Sequence, residues 1–339
     1  MRTWALCKRV VKQLGRDKRT IAMLFVAPLL VLSLLSVVMT NSATTSKIDA
    51  VNLPAPLVEQ LKKTDATIHE VSLDSAKQDL NDLKADAYLE VRDGKPHLML
   101  EGSDPVVNRA VLQALQEAQR SLSPNQQTPE ISYLYGGSDL TQLDNLAPVL
   151  IGFFIFFFVF LLSGVAFLRE RTAGTLERVL ATPVRRYEIV LGYFLGFGIF
   201  AALQTLFVQW FALYVLDVRS VGNFGSVLLT NLLIATVALS LGTLLSAFAR
   251  NEFQMVQFIP LVVVPQIFLS GMFDMRNFPD WVTALSNILP LTQGANVLRS
   301  LMLRGQGLAD NGVSLWILAG YGVLFLTLNT IALKRYRRV

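Results

Sequence analysis

The sequence predicts a membrane all-α bundle of six transmembrane helices, with an α+β extracytoplasmic domain inserted between helices 1 and 2. Three observations predict it. Of 339 residues, 53% are hydrophobic and 16% charged, whereas an ordinary soluble domain is about 25% charged. Six apolar runs reach roughly 20 residues or more, enough to cross hydrocarbon about 30 Å thick. Between the first two runs, over residues 41–146, the composition switches to 16 acidic against nine basic residues, and no long apolar run remains.

Residues 1–19 set Arg2, Lys8, Arg9, Lys12, Arg16, Lys18 and Arg19 opposite Trp4, Cys7, Val10, Val11 and Leu14. That is the pattern of an amphipathic helix lying in the headgroup plane. Gly15 to Arg19 break it before the first span, 20–40, which is long and lacks an A-x-A-like site and so reads as retained rather than as a signal peptide. In the 41–146 insert, 48–53, 67–73, 86–92 and 97–101 read as strands, with Asp93-Gly94-Lys95-Pro96 as a hairpin turn. Residues 75–84 and 104–122 read as helices, the second carrying Val107, Ala110, Val111, Ala114, Leu115 and Ala118 on one face. Pro- and Gly-containing linkers at 123–129 and 136–137 lead back to the membrane.

The later spans are 147–168, 189–216, 226–249, 253–273 and 313–333. Residues 274–312 are half-apolar: 281–289 and 291–303 are too short or too polar to span, and Pro290 separates them, so they read as two short helices in the outer interface. An ordinary amphipathic loop is the plainer alternative. A basic tail, 334–339, closes the chain. With the N-terminus inside, cytoplasmic segments hold 17 Lys and Arg against four in the short outer loops, which puts both termini in the cytoplasm. The basic residues therefore report topology and do not imply nucleic acid.

None of the six spans holds an Asp, Glu, Lys, Arg or His, which removes the proton and ion relays of secondary transporters. No G-x-x-x-x-G-K-[ST] loop occurs either. Cys7 is the sole cysteine and there are two histidines, so neither a disulfide nor a zinc site is expected, and no catalytic residue is assigned. Phe154, Phe157 and Phe158 of the second span, with Gln204, Gln257 and Gln266, are the candidate lining of a substrate path. Phenylalanines there serve lipid and helix contact first, and amides are more often interhelical glue. Gly192-x-x-x-Gly196 reads as a small-residue packing face.

The polar interruption at 169–188 carries eight charges, which would cost on the order of 20 kcal/mol to hide in hydrocarbon. Ala173, Leu176, Val179 and Leu180 predict a short amphipathic helix there, and Thr182-Pro183 predicts the N-cap and first residue of the next one. Arg185 and Arg186 then fall in a first helical turn, where the macrodipole disfavours cations and an outside anion is needed. Positive-inside anchoring accounts for the arginines but not for Gly174-Thr175, Glu177 or Thr182-Pro183.

This segment, with Glu170-Arg171, Gly174-Thr175, Glu177, Leu180, Thr182-Pro183-Val184 and Glu188, resembles the elbow between the second and third membrane helices of ABC type-two exporter permeases. The leucine falls one place later than in many members, and Gly192 stands where many carry lysine. Residues 279–299 likewise resemble the family's outer re-entrant helices, with Gln293 in place of the usual tyrosine. The resemblance implies that Glu170, Arg171, Gly174, Thr175, Glu177, Thr182, Pro183 and Glu188 couple the permease to a separate ABC ATPase subunit. That partner would carry ATP and Mg, and this chain would bind no cofactor. It further implies a homodimer, or a heterodimer with a related permease, in a bacterial plasma membrane, exporting a drug, lipid or glycan. A non-transporting receptor or anchor with an outer binding domain is the alternative, and it would need neither the elbow nor an uncharged bundle.

Overall fold

The computed structural model describes residues 2–41, 46–64, 66–82, 84–92, 95–100, 105–122, 142–272 and 279–333. The Asp93-Gly94 turn, the linkers at 123–129 and 136–137, part of the outer connection and the 334–339 tail lie outside the described residues. Two compact units emerge, one of residues 39–133 and one of 1–38 with 134–339.

The smaller unit is built on a four-stranded sheet in the order β2-β1-β3-β4. β1 (Lys47–Val51) runs parallel to β2 (Thr67–Glu70) and to β3 (Ala87–Arg92), and β4 (Lys95–Leu100) runs antiparallel to β3 with Glu90 opposite His97. Side chains alternate across a strand, so Ile48, Ala87 and Leu89 enter one core with Leu61 of α3 (Ala55–Leu61) and Val111 of α5 (Pro105–Leu122). Val51 and Tyr88 face the other way, onto Ala76 of α4 (Leu73–Asn81), whose N-cap is Ser72. The sequence reading missed α3, because Asn52-Leu53-Pro54-Ala55-Pro56 looks like a loop. Pro54 is in fact its N-cap and a second proline sits in its first turn, where a missing N–H goes unnoticed.

Among the described residues six helices are long and apolar enough to span a membrane: α2 (Lys18–Asn41), α6 (Gln142–Thr172), α8 (Arg186–Tyr214), α9 (Phe224–Ser246), a broken helix over Glu252–Met272, and α14 (Gly312–Ala332). α6 and α9 form the centre of the larger unit. Where they cross, a Cβ on Gly242 would lie 2.3 Å from the Ser163 hydroxyl, so only glycine permits that approach. The broken helix runs as α10 (Glu252–Phe258), a π segment (Ile259–Val263), α11 (Val264–Ile267) and a second π segment (Phe268–Met272). Pro260 and Pro265 each remove a backbone donor, which accounts for wide turns in place of a regular ladder.

The two short helices of the outer connection form as α12 (Asp280–Ile288) and α13 (Pro290–Met302). α13 is no surface loop: eleven of its residues are buried. The Gln293 amide donates to the Asn287 carbonyl at 2.6 Å and accepts from Ser314 at 2.8 Å. α1 (Arg2–Leu14) is amphipathic as expected, but its buried face is Cys7, Val10 and Leu14, and Trp4 is 66% exposed. Gly192 and Gly196 of α8 are the packing face for this helix rather than for another span. A Cβ at either would come within 2.7 Å of Leu6 or Val10.

Candidate functional site

The charged elbow has a buried root and an exposed tip. α6 does not stop at Leu168; it runs on to Thr172, so Arg169, Glu170 and Arg171 form its last turn. Lys and Arg are favoured at such a C-terminus, and each finds a carbonyl or carboxylate. Arg171 donates to the carbonyls of Ser246, the last residue of α9, at 2.8 Å, and of Ala249 just beyond it. Arg169 pairs with Glu252 at 2.7 Å and with Asp17 at 3.3 Å.

Glu170 is only 4% exposed and is the hub of the root. Its carboxylate accepts from the Arg9 guanidinium at 2.5 Å, from the Tyr193 hydroxyl at 2.8 Å and from the Gln13 amide. One side chain thus joins α1, α6 and α8. Paired charges and filled lone pairs are what make a buried carboxylate tolerable. Arg9 and Gln13 stand four apart on one face of α1, which is a legible signal; nothing in the sequence singles out Tyr193.

At Gly174 the chain reverses with φ +68°, a left-handed conformation that non-glycine residues adopt at a cost of about 1 kcal/mol. A Cβ there would meet nothing within 4 Å, so backbone conformation alone selects glycine. α7 (Thr175–Leu180) follows, as predicted, and Leu176 anchors it at 1% exposure. Glu177, Arg178, Thr182 and Pro183 are exposed, and the Glu177 carboxylate makes no hydrogen bond or ion pair among the described residues.

The expectation that Thr182-Pro183 opens the next helix is corrected. The Thr182 hydroxyl points back and donates to the Val179 carbonyl at 2.6 Å, and the Pro183 carbonyl accepts from Arg2. α8 starts three residues later than expected, at Arg186 with Arg185 as N-cap. Glu188 folds back and accepts from the Arg185 backbone N–H at 2.7 Å, the reach of a third-turn-position acid in a capping box. Glu188 thus caps the backbone and lies near the Arg185 charge, but among the described residues no carboxylate pairs with Arg186, whose Nε meets no hydrogen-bond partner there. The eight elbow residues divide: Glu170, Arg171, Gly174 and Glu188 shape the root, while Glu177, Thr182 and Pro183 face outward and Thr175, half-buried, starts α7.

The six candidate path residues do not line one surface of the single chain. Phe154 is buried, and the rings of Phe153, Phe154, Phe157 and Phe158 contact one another along α6 itself, mostly edge to face or tilted. Gln257 is exposed on α10. Gln266 donates to Val262 and accepts from the Leu291 N–H, and so ties the broken helix to α13. Gln204 is wholly buried and its amide meets no hydrogen-bond partner among the described residues.

The fold and this site define a multi-pass helical membrane protein with a rigidly rooted, charged elbow at one end of its bundle. The sequence profile of the ABC-2 family transporter proteins matches residues 18–331, and the chain belongs to that family. It is 32% identical over 197 residues to ABC transporter G family member 20 of Dictyostelium discoideum, covering 58% of this chain and 27% of that one. It is 27% identical over 177 residues to Probable multidrug ABC transporter permease YbhS of Escherichia coli (strain K12), covering 52% and 47%. With Nodulation protein J of Rhizobium meliloti (strain 1021) it shares 31% over 181 residues, covering 50% and 64%. The chain thus spans 27% to 64% of the length of these relatives.

Proposed function

We propose that the chain is the permease subunit of an ATP-binding-cassette exporter. It moves a hydrophobic or amphipathic substrate, of the drug, lipid or glycan class, outward. Hydrolysis takes place on a separate ATPase subunit, which holds the ATP and Mg. Two permeases, identical or related, stand beside two ATPases. The elbow and both termini lie in the cytoplasm of a bacterial-type cell, and the 39–133 unit lies outside its plasma membrane. The multidrug name of one relative supports the substrate class, as do spans without a central charge.

The observation that carries this reading is the division of the elbow. An exposed tip with an unpaired Glu177 offers a docking surface. The root behind it is bonded to α1, α8 and α9 through Glu170 and Arg171. A displacement of the tip is therefore passed to several helices at once, which is the contiguous network that coupling needs. Glu170, Arg171 and Glu188 position the elbow; Glu177, Thr182 and Pro183 touch the ATPase.

The test is Glu177→Ala, with Glu117→Ala in the smaller unit as control, since both carboxylates are exposed. ATPase retained on affinity-purified permease, at matched membrane expression, falls for Glu177→Ala by the equivalent of about 2 to 5 kcal/mol if the pair is buried at the interface. Transport falls with it. Equal retention for the two variants removes Glu177 from the coupling surface.

A further inference from the structure

Next to the Glu170 hub, two helix faces stand opposite one another without interlocking. Thr20, Leu24 and Ala27 of α2 and Leu161, Leu162 and Ala166 of α6 border a cavity of about 250 Å³. Both sets follow the spacing of a single helical face, the arrangement that normally packs ridge into groove. Two alanines stand where larger side chains would close the gap. Pro28, one residue beyond Ala27, leaves the Leu24 carbonyl without its helical donor, so α2 lacks a rung beside the cavity's inner end.

The cavity is amphipathic along its length. One end is polar, with Gln13, Asp17, Thr20, Arg169 and Glu170; the other is apolar, with Met23, Leu24, Ala27 and Phe158. From Thr20 to Ala27 the rise is about 10 Å, and from Glu170 back to Phe158 about 18 Å. The space is slightly below the roughly 300 Å³ at which pockets begin to enclose drug-sized ligands, so it suits one hydrocarbon chain rather than a glycan or a whole two-chain lipid. Water does not wet apolar walls, and an empty void forfeits the contacts of its lining. Met23, on the rim, is 70% exposed, so the cavity opens towards the chain's surroundings.

We propose that this cavity binds a single alkyl chain of an amphiphile. Its head lies at Asp17, Thr20 and Arg169 and its tail between α2 and α6. The ions at the polar end already satisfy one another: Glu170 with Arg9, Arg169 with Glu252 and Asp17. No surplus charge awaits the head, so it is uncharged or zwitterionic. Binding of an alkyl chain here requires neither the ATPase nor transport.

The experiment uses the full chain in phosphatidylcholine proteoliposomes doped with a phosphatidylcholine carrying a mid-chain diazirine, with adducts mapped by mass spectrometry after irradiation. Adducts are expected on Met23, Leu161 or Val165. Ala27→Phe and Ala166→Leu, filling the cavity from opposite walls, should each reduce them about fivefold or more while leaving adducts on the outward Trp316 of α14 unchanged. Cavity adducts that never exceed those at Trp316, or that survive both substitutions in chains still labelled at Trp316, overturn the proposal. A second arm adds decyl maltoside below its micellar concentration. Loss of cavity adducts identifies an exchangeable amphiphile and their persistence a resident bilayer lipid; both outcomes support the site. None of these readouts involves ATP, so a failure here leaves the transport reading standing.

Discussion

Glu170 and Glu177 lie seven residues apart and have opposite fates: one acid is enclosed by Arg9, Gln13 and Tyr193, the other is free in solvent. Glu170→Gln keeps the shape and removes the charge. Arg9 is 32% exposed and can return partly to water, so the loss of stability is at the lower end for a broken buried pair, about 3 kcal/mol. Thermal unfolding of the detergent-solubilised chain measures it; a loss below about 0.5 kcal/mol would mark Glu170 as an ordinary surface acid. A second residue-scale case is Asp49 in β1, 3% exposed with one oxygen unpartnered. Burial, then the charge of Asp79, raise its pKa above the ordinary 3.8, and His69 opposes them. An acid with a raised folded pKa favours the folded state while protonated, and that stability is lost as pH rises through the folded value. Asp49→Asn should therefore slow hydrogen exchange at β1 and β3 amides at pH 7, about fivefold for 1 kcal/mol. The difference should vanish below pH 3.8, where wild-type Asp49 is neutral in both states. An advantage that persists unchanged at low pH would show that charge is not the cause.

Within α8, three glycines make a controlled comparison. Glycine to alanine in a helix interior gains up to about 1 kcal/mol from propensity alone, and Gly198, with nothing within 4 Å of a built Cβ, should show that gain. At Gly196 the new methyl would lie 2.7 Å from Val10 Cβ and Cγ1, and at Gly192 2.7 Å from Leu6 Cβ. These atoms sit next to the α1 backbone, and Val10 is stiff at χ1, so they cannot move aside without moving the helix. Gly192→Ala and Gly196→Ala should lower the unfolding temperature and expose α1 to protease, while Gly198→Ala raises the temperature. A rise for all three would mean that α1 is not seated on α8. Much of this scale was legible in sequence, because span length and the Pro290 break are local properties that hydropathy and a missing N–H decide. What was hidden depends on partners distant in sequence. The end of α6 at Thr172 is fixed by α9 carbonyls and by Arg9, the start of α8 by Glu188 rather than Thr182, and the burial of α13 by α6 and α9. The charged tip around Glu177 was legible as a pattern of residue types, and its coupling role is a proposal, whereas the hub beneath it required Tyr193, 23 residues along the chain from Glu170.

For the whole molecule the decisive quantity is orientation, since a cytoplasmic ATPase can meet the elbow only if α7 faces the cytoplasm. Charge sets the expectation: 17 Lys and Arg lie in the segments on one side of the spans against four in the short loops on the other, and such a bias sets topology. The chain has a natural advantage for testing it. Cys7 is its only cysteine and is 1% exposed, and burial pushes its thiol above the ordinary 9.0. At neutral pH it is therefore both shielded and scarcely ionised, and the thiolate is the reactive form. A cysteine placed elsewhere will dominate any maleimide signal. Lys77 of α4 and Arg178 of α7 are both exposed, and neither substitution reverses the charge bias. In intact cells a membrane-impermeant maleimide should label Lys77→Cys at once and Arg178→Cys only after permeabilisation. The opposite pattern would place the elbow outside, where no ATP is available. The ATPase-docking role of Glu177 would then fall, whereas the hub at Glu170 and the alkyl-chain cavity beside it, which depend on contacts within one chain, would stand.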